Sequence, residues 1–312
     1  MNCPKLSDLP PPPPGRTGWP WTEETPCSVP EDGGADSRIS IVTPSFNSGL
    51  YLEETIRSVL LQGYHDLEYI VMDGGSTDDS LDIIRRYEPW LSFWVSEKDK
   101  GYADALNKGF ARATGSIRAW QPASDTYMPG AFKAAQRYLG QRRADVAFGE
   151  AYFVDEQGNV RAVSNTGTRN LRHLMIYARS TPVQSSTFWR KEIQAKVGSF
   201  RTDFRYAADR DWFLKLSVSG RSVWMSEITS RYRTHGEQLS SNLQAMLDEG
   251  FIAWKDVLRV NNISQLQVLL GSALIMPIVR FRTGGLRSLL RVPKLSSFAN
   301  VFLGRHSTTN KQ

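Results

Sequence analysis

The chain contains 312 residues, of which 40% are hydrophobic and 11% aromatic, so it is long enough to bury one large core or a core with an appendage. A mean hydropathy of −0.38 and the lack of an apolar run of about 18 residues exclude the composition of a membrane-spanning protein. The net charge of +6 suits an anionic partner, which could be nucleic acid, anionic lipid or a nucleotide-linked substrate. We expect no nucleic-acid binding, because no motif of interleaved basic and aromatic residues accompanies the charge.

Residues 1–36 are rich in proline and include a run from Pro10 to Pro14. Such sequence favours polyproline II and loop, so we expect a flexible leader that adds little to the core; a segment that docks a partner is the alternative. The two cysteines, Cys3 and Cys27, both lie in this leader. Their irregular surroundings, and the lack of an apolar signal stretch after the first residue, predict free thiols and a cytoplasmic protein.

Apolar segments alternate with amphipathic segments between residues 39 and 120. Strands are predicted over 39–44, 67–72, 91–95 and 117–120. Helices are predicted over 51–62 and from residue 79 or 80 to a point before Pro89. A third helix is predicted to follow a loop that begins at Asp99 and to end at Ala113. This repetition predicts an α/β core with a parallel sheet. No G-x-G-x-x-G follows the first strand and no G-x-x-x-x-G-K-[ST] occurs, so a bound phosphate would be held by a metal or by side chains.

The second half of the chain is less regular. Helices are predicted over 128–139, 191–197 and 209–217, and extended segments over 145–154, 160–163, 187–189 and 223–225. The polar run 231–235 is expected to follow the last of these strands. From Leu243 onward the chain is expected to be mostly helical, and no acidic residue follows Asp256.

Carboxylates follow the predicted strands, with Asp73 after the second, Asp99 after the third and Asp125 after the fourth. Ligands of open α/β sheets bind outside the carboxyl ends of the strands, so these loops are candidates to hold a nucleotide, a metal and a sugar. A self-satisfied Asp-Gly turn explains Asp73 equally well, and helix capping explains Asp99 and Asp104. Asp125 has no helix directly after it to cap, and a single carboxylate can hold Mg2+ or Mn2+ where substrate phosphates complete the octahedron.

Three later residues are also candidates. Asp209 and Asp211 lie two apart at the start of a predicted helix, so at most one reaches a shared ligand; one could act as a base while the other caps the helix. His235 follows a strand and is a candidate ligand for a metal or a phosphate, with a surface histidine as the alternative.

Several segments, in this order, resemble the inverting GT-A glycosyltransferases of family 2. The resemblance is strong from Ile39 to Phe132 and looser as far as Asp211. The matching segments are 42–47, 68–78, 96–101, 104–109, 129–131, 184–188, 197–200 and 209–211. The resemblance implies a Rossmann-like, mixed and mainly parallel sheet flanked by helices, with a helical C-terminal extension.

The resemblance also implies a role for each matched position. The nucleotide-sugar side would be formed by Thr43, Pro44, Ser45, Asp73, Asp99, Asp104 and Ser124. Asp125 matches the last aspartate of the metal-binding motif, with His235 as a second candidate ligand for Mg2+ or Mn2+. Asp209 matches the general base, with Asp211 as a second catalytic candidate. The implied activity is transfer of a sugar from a nucleotide donor, expected to be UDP-linked, to a glycan or lipid-linked acceptor with inversion, in surface polysaccharide or glycoconjugate synthesis.

Two positions depart from the family pattern. Family members usually read Asn-Ser-Asp-Asp where residues 122–125 read Pro-Ala-Ser-Asp, so Ser124 replaces a carboxylate, and Ala208 replaces the glutamate before the base. Either the metal is bound more weakly, or the diphosphate relies more on basic residues such as Arg233 and His235. A non-catalytic nucleotide-sugar-binding module in a larger assembly is the alternative function.

We therefore expect three parts: the leader 1–36, a GT-A domain over 37–242 and a helical, basic extension over 243–312. The extension contains Arg280, Arg282, Arg287, Arg291, Lys294 and Arg305. It could lie on an anionic membrane, which would make the protein peripheral to the inner face of the cell membrane. A helical cover over the sheet is the alternative.

Overall fold

The computed structural model describes residues 3–27, 38–140, 144–178, 180–236 and 242–289, with side chains of the last helix described to residue 277. The strands are β1 Ile39–Ser45, β2 Leu67–Asp73, β3 Phe93–Ser96, β4 Ile117–Trp120, β5 Thr126–Tyr127, β6 Val146–Val154, β7 Val160–Val163, β8 Thr187–Arg190 and β9 Ser222–Arg233. The helices are α1 Gly49–Leu60, α2 Ser80–Tyr87, α3 Tyr102–Arg112, α4 Ala131–Leu139, α5 Lys191–Val197, α6 Ala208–Ser219, α7 Leu243–Val260 and α8 Gln265–Leu289.

One mixed sheet runs through the described residues in the order β3-β2-β1-β4-β8-β6-β9-β5, with β7 paired to β6. The first four strands of this order are parallel, and β6 and β9 are parallel to each other. Strand β8 joins the two halves by antiparallel pairing with β4 and β6. Every residue of β2 is buried, which explains why residues 69–72 form a continuous apolar run rather than an alternating one. The predicted α/β class and the mainly parallel, helix-flanked sheet are confirmed.

Two hydrophobic cores lie on the two faces of this sheet. Neighbouring residues of a strand point to opposite faces, so Ile41 enters the core under α1 and α4, whereas Val42 enters the core that contains α3 and α6. In the second core Trp120, at the end of β4, packs against the rings of Trp189 and Phe213. This packing anchors the loop that follows β4, which carries Asp125.

The prediction of a flexible leader is wrong for residues 3–27, which pack on α1. Trp19 is 7% exposed and its indole N–H donates to the carbonyl of Tyr127 at 2.7 Å. The guanidinium of Arg57, a fully buried residue of α1, donates to the carbonyls of Pro10, Pro20 and Trp21. The prolines provide carbonyl acceptors that a buried cation needs, because proline-rich backbone uses few of its carbonyls internally.

The prediction of free thiols is also wrong, because Cys3 and Cys27 form a disulfide that closes the leader into a loop. Gly63, shortly after the end of α1, lies beside this loop. Its φ is +61°, and a Cβ there would collide with the carbonyl oxygens of Thr25 and Pro26. Residues 28–37, which connect the leader to β1, lie outside the described residues.

The C-terminal helices continue the core. Trp254 and Val257 of α7 pack in the same cluster as Trp212 of α6, and the hydroxyl of Ser272 in α8 donates to the carbonyl of Tyr177. Within the described residues no helix combines the length and apolarity required to cross a membrane. Of the predicted basic tail, residues beyond 289 lie outside the described part of the chain, and the boundaries of the three predicted parts stay a prediction.

Candidate active site

A cleft of about 840 Å3 opens where β1 and β4 end. Its walls come from the β1–α1 loop, from the turn after β4, from the start of α6, from the end of β9 and from α7. Five of the predicted site residues line it: Pro44, Ser124, Asp125, Asp209 and His235. The fold therefore brings together residues that lie far apart in the sequence.

Asp125 is 1% exposed and holds its position through both side chain and backbone. Its Oδ1 accepts the backbone N–H of Arg233 at 3.0 Å, and its carbonyl accepts the hydroxyl of Thr55 at 2.7 Å. Burial raises the pKa of the Asp125 carboxyl to about 7, although the backbone N–H of Arg233, the nearby Ser185 hydroxyl and the Arg233 charge all lower it. The carboxyl is thus divided between its protonated and ionised forms near neutral pH.

Arg233 was named, in one of two alternatives, as a basic residue on which the diphosphate could rely, and the structure gives its guanidinium other partners. Its guanidinium is enclosed and donates to Oε2 of Glu54 at 2.8 Å, and to the carbonyls of Ser124 at 3.1 Å and Glu156 at 2.7 Å. The predicted strand 223–225 was also too short, because Arg233 is the last residue of β9 and not part of a polar loop after it. Arg233 therefore holds the turn that carries Asp125.

The cleft contains one side chain that is suited to bind a divalent metal, that of Asp125, and a second candidate, that of His235. Oδ2 of Asp125 is buried and makes no hydrogen bond of good geometry within the described residues, and such an orphaned carboxylate oxygen is the donor that Mg2+ or Mn2+ requires. The imidazole of His235 lines the same cleft, with its ring 5.2 Å from that of Tyr51. No group of three or more His, Cys, Asp or Glu side chains suited to an ion occurs in the described residues. An ion would therefore take most of its ligands from the substrate.

Asp209 lies half-buried in the first turn of α6 and lines the cleft. Its backbone N–H donates to the Tyr102 hydroxyl at 3.1 Å, and its Oδ1 accepts the N–H of Arg210 at 2.7 Å. Burial raises the pKa of Asp209 to about 6, and the backbone N–H and charge of Arg210 oppose this increase. A carboxylate with that pKa is mostly ionised at neutral pH and still basic enough to accept a proton.

Glu249 is a site residue that no motif marks. Its carboxylate, on α7, accepts the backbone N–H groups of Arg205, Tyr206 and Ala207 at 3.1, 2.7 and 2.9 Å, and these residues directly precede α6. A carboxylate at a helix N-terminus satisfies donors that the helix leaves unpaired and interacts favourably with its dipole. Ala208, at the position where the family pattern has glutamate, is itself fully buried. This chain thus brings a carboxylate to the start of α6 from a different helix.

Asp211 is not brought to the site. It is 1% exposed, does not line the cleft and forms an ion pair with Lys215 at 2.6 Å. Burial raises its pKa, and Lys215 and Arg201 act against the increase. Only Asp209 of the two aspartates faces the space where a substrate would bind.

Three of the residues that were predicted to bind the nucleoside, Thr43, Ser45 and Asp73, do not line the cleft. The Thr43 hydroxyl is buried against the Tyr69 hydroxyl at 3.1 Å, and the Ser45 hydroxyl is buried with no hydrogen-bond partner in the described residues. Asp73 is 2% exposed, and its carboxylate accepts donors from Gly75, Ser76 and Ser96. The structure therefore contains the self-satisfied Asp-Gly turn, and contact of Asp73 with a donor stays a prediction.

Asp99 and Asp104 order the loop before α3. Oδ1 of Asp99 accepts the N–H of Gly101 at 2.7 Å, and Oδ2 of Asp104 accepts the N–H of Lys100 at 3.2 Å. The Asp99 carboxylate also packs on Gly74, where a Cβ would lie 2.8 Å from it. These hydrogen bonds lie within the loop, since the N-cap of α3 is Gly101 and no side chain caps it. The capping alternative is therefore not observed, and closure of this loop over a nucleotide-sugar stays a prediction.

The sequence profile of glycosyl transferase family 2 matches residues 40–199, which is half of the chain. The chain belongs to glycosyl transferase family 2. The resemblance found in the motifs is thereby confirmed, and the enzyme class is that of a glycosyltransferase.

Relatives within family 2 support the same class. An uncharacterized glycosyltransferase of Mycobacterium tuberculosis is 29% identical over 201 residues, covering 64% of this chain and 76% of its own. TuaG of Bacillus subtilis, named for teichuronic acid biosynthesis, is 23% identical over 232 residues, covering 72% and 89%. The relatives of this chain thus include a glycosyltransferase that is named for the biosynthesis of teichuronic acid.

Solved structures share the GT-A fold. TarS of S. aureus, crystallised with UDP-GlcNAc, aligns with a TM-score of 0.59 and 17% identity over 83% of this chain and 77% of its own. A mannosyltransferase of Pyrobaculum calidifontis, in complex with GDP-Man and Mn2+, aligns with a TM-score of 0.53 and 18% identity over 89% and 84%. At these identities the alignments establish the fold of this family 2 protein.

Proposed function

We propose that this protein transfers a sugar from a nucleotide-diphospho-sugar, UDP-linked, to an acceptor hydroxyl with inversion of the anomeric centre. The observation that carries the proposal is that Asp125, within the segment matched to the family, and Asp209, which follows that segment, line one cleft and both have pKa values raised toward neutrality by burial. TarS, whose structure contains UDP-GlcNAc, supports the choice of UDP.

In this proposal Asp209 accepts the proton of the acceptor hydroxyl. The acceptor oxygen forms a bond to the anomeric carbon while the bond from that carbon to the diphosphate oxygen breaks, and the nucleoside diphosphate leaves with the bonding electron pair. A single displacement from the face opposite to the leaving group inverts the anomeric configuration. Tyr102 and Glu249 keep the start of α6 in place, so that the Asp209 carboxylate does not need to reorganise.

Mg2+ or Mn2+ would be held by Asp125 and His235, together with the donor phosphates. When bound, the ion would offset the negative charge that develops on the departing diphosphate. Asp125 provides one anionic oxygen for it, and Ser124 beside it adds no second carboxylate. The Mn2+ complex of the Pyrobaculum calidifontis mannosyltransferase supports this choice of cofactor.

The direct test is a transfer assay with purified protein, a panel of UDP- and GDP-sugars, and Mn2+ or Mg2+. We expect release of nucleoside diphosphate from at least one donor, and NMR of the product should show inverted anomeric configuration. A retained configuration would refute the single-displacement mechanism. Full activity of Asp209→Asn would refute the assignment of the base.

The alternative function, a non-catalytic module that binds nucleotide-sugars, is favoured by Ser124 and Ala208, which replace two acidic residues of the family pattern. Calorimetry separates the two functions. A donor that binds but is neither hydrolysed nor transferred, with any acceptor offered, would support the module. Turnover of any donor would exclude it.

We further propose a glycan or lipid-linked acceptor, and a cytoplasmic protein peripheral to the inner face of the cell membrane. Support comes from four leucines at helical spacing in α8, Leu266, Leu269, Leu270 and Leu274, which are between 46% and 72% exposed. No acidic residue follows Asp256, so the sequence around and after this stripe carries only positive charge. An exposed apolar stripe with basic flanks is the pattern of an interfacial helix on anionic lipid.

A further inference from the structure

Two aromatic residues on adjacent strands form a pair beside the proposed metal site. Phe153 of β6 and Tyr232 of β9 are register partners, and their ring centroids lie 5.5 Å apart in an edge-to-face arrangement. Both residues are half-buried and both line the cleft. The pair therefore presents aromatic surface to the space where substrates would bind.

This pair has no part in either hydrophobic core. Most large aromatic residues of the described chain pack within one of the two cores or against it, whereas Phe153 and Tyr232 belong to neither. Aromatic surface that lines a concave site outside the cores is typical of ligand recognition. The two rings therefore belong to the wall of the cleft rather than to a hydrophobic core.

The surroundings fix the pair at the end of the cleft that holds Asp125. Tyr232 directly precedes Arg233, whose backbone N–H holds Oδ1 of Asp125 and whose guanidinium reaches back to Glu54. Successive residues of a strand point to opposite faces, so Tyr232 projects away from the Glu54 side. The rings therefore lie in the same cleft as Asp125 and Asp209, on a different side of β9 from Glu54.

A carboxylate completes the surface. Glu156, three residues after Phe153, is exposed and lines the same cleft. Its position is held because its carbonyl accepts Nη1 of Arg233 at 2.7 Å and because Asp155 accepts the N–H of Asn159 within the same turn. These contacts hold the Glu156 backbone, and a carboxylate at that position can accept hydrogen bonds from two neighbouring hydroxyl groups and repels anionic ligands.

We propose that Phe153, Tyr232 and Glu156 form an acceptor subsite for an uncharged pyranose ring. The axial C–H groups of such a ring form an apolar face that packs on aromatic surface, while its hydroxyls bind the Glu156 carboxylate. The inference rests on the proposed sugar transfer, because it assigns the subsite to the acceptor of that reaction. It narrows the acceptor to a molecule that presents a neutral sugar next to the reacting hydroxyl.

The kinetic test compares the full-length wild type with Phe153→Ala, Tyr232→Ala and Glu156→Gln. We expect KM for the acceptor to rise about tenfold in each variant, with KM for the donor within twofold of the wild type. Phe251→Ala is the matched control, because Phe251 is also half-buried and paired with another ring, that of Trp254, but lies outside the cleft. A rise in KM for the donor alone would assign the pair to the donor sugar and overturn the inference, as would no change in either KM.

A binding test does not depend on turnover, so failure of the proposed function can be distinguished from failure of the subsite. Saturation-transfer NMR would use the methyl glycosides of glucose, galactose, mannose and N-acetylglucosamine, with sorbitol as an acyclic polyol that lacks an apolar ring face. We expect signals from the C–H groups of at least one glycoside in the wild type, reduced in Phe153→Ala and retained in Phe251→Ala. No signal from any glycoside, or an equal signal from sorbitol, would overturn the inference even if sugar transfer is observed.

Discussion

The backbone N–H of Arg233 donates to Oδ1 of Asp125 at 3.0 Å, while the guanidinium of the same arginine is ion-paired with Glu54 on α1. One residue thus connects α1, the end of β9 and the turn that carries the proposed metal ligand. Because the pair with Glu54 is almost fully enclosed, breaking it would leave an uncompensated buried charge. The orientation of Asp125 therefore depends on contacts made far from it in the sequence.

Asp125→Asn should abolish transfer and stabilise the fold. Burial raises the pKa of the Asp125 carboxyl from 3.8 to about 7. At a pH between these two pKa values the folded state retains a proton that the unfolded chain has released. The free energy of unfolding of the wild type therefore falls as pH rises through this range. Asparagine retains the Oδ1 acceptor without this penalty. Its advantage in the free energy of unfolding should grow from pH 4 to pH 8, to at most about 4 kcal/mol.

Urea unfolding at several pH values measures this advantage. Addition of Mn2+ at pH 8 to protein that is saturated with a UDP-sugar provides an independent reading, since it should raise the Tm of the wild type further but not that of Asp125→Asn. An equal rise of Tm in both proteins would show that the ion binds elsewhere. A variant that is less stable at pH 8 than at pH 5, relative to wild type, would contradict the raised pKa.

Asp209→Asn should lower kcat about a thousandfold, because a general base contributes roughly 10²–10⁴ to the rate. Donor affinity, measured by calorimetry, should change little. In the wild type, kcat/KM should rise with pH through about 6, as the Asp209 carboxyl loses its proton. The pH profile of residual activity in Asp209→Asn should lack this step, and a profile that keeps it would assign the step to another group.

Glu249→Gln should lower kcat about tenfold with little change in donor affinity, because glutamine replaces the anion that holds the three N–H groups before α6 with a neutral amide. Asp248→Asn is the matched control: it is the neighbouring residue on α7, and among the residues that the structure describes its carboxylate accepts a local hydrogen bond from Gln244. The apparent pKa of Asp209 in the pH–rate profile should also shift in Glu249→Gln. A fall in stability without a change in kcat or in the pH–rate profile would show that the role of Glu249 is structural.

Replacement of Cys3 and Cys27 by serine should lower the free energy of unfolding by about 3 kcal/mol, since the disulfide closes a loop between positions 24 residues apart. The leader should stay docked through Arg57, so limited proteolysis of the folded variant should match that of the wild type. Thiol alkylation in freshly lysed cells tests the proposed cytoplasmic location as well. Reduced cysteines fit that location, and a disulfide already present in the cell would argue against it.

Binding to anionic vesicles should depend on the leucine stripe of α8. In the full chain, Leu266→Gln combined with Leu270→Gln and Leu274→Gln should weaken co-sedimentation with phosphatidylglycerol-containing vesicles about tenfold or more. The matched control replaces Val160 and Val163 of β7, which are similarly exposed, by glutamine. Equal binding of the stripe variant and the wild type would refute the membrane proposal.

The sequence alone determined the α/β core and the order of its elements. Strands and helices report their burial through local periodicity, so β1, β2 and β4 were predicted within one or two residues. The motifs at 42–47, around Asp73 and around Asp99 identified family 2 because each motif lies within a few consecutive residues. Position after an apolar strand was also sufficient to single out Asp125.

Only the tertiary structure decided which side chains are available for chemistry. Arg233 was a reasonable candidate for a diphosphate until Glu54, 179 residues away in sequence, was found to bind it, and Asp211 was separated from Asp209 by the direction in which each projects from α6. The leader docks because α1 buries an arginine that needs carbonyl acceptors, and Glu249 reaches α6 from α7. These pairings join residues that are distant in sequence, so no local pattern encodes them. The identity of an acidic or basic residue does not reveal whether its side chain binds a substrate, the backbone or another side chain.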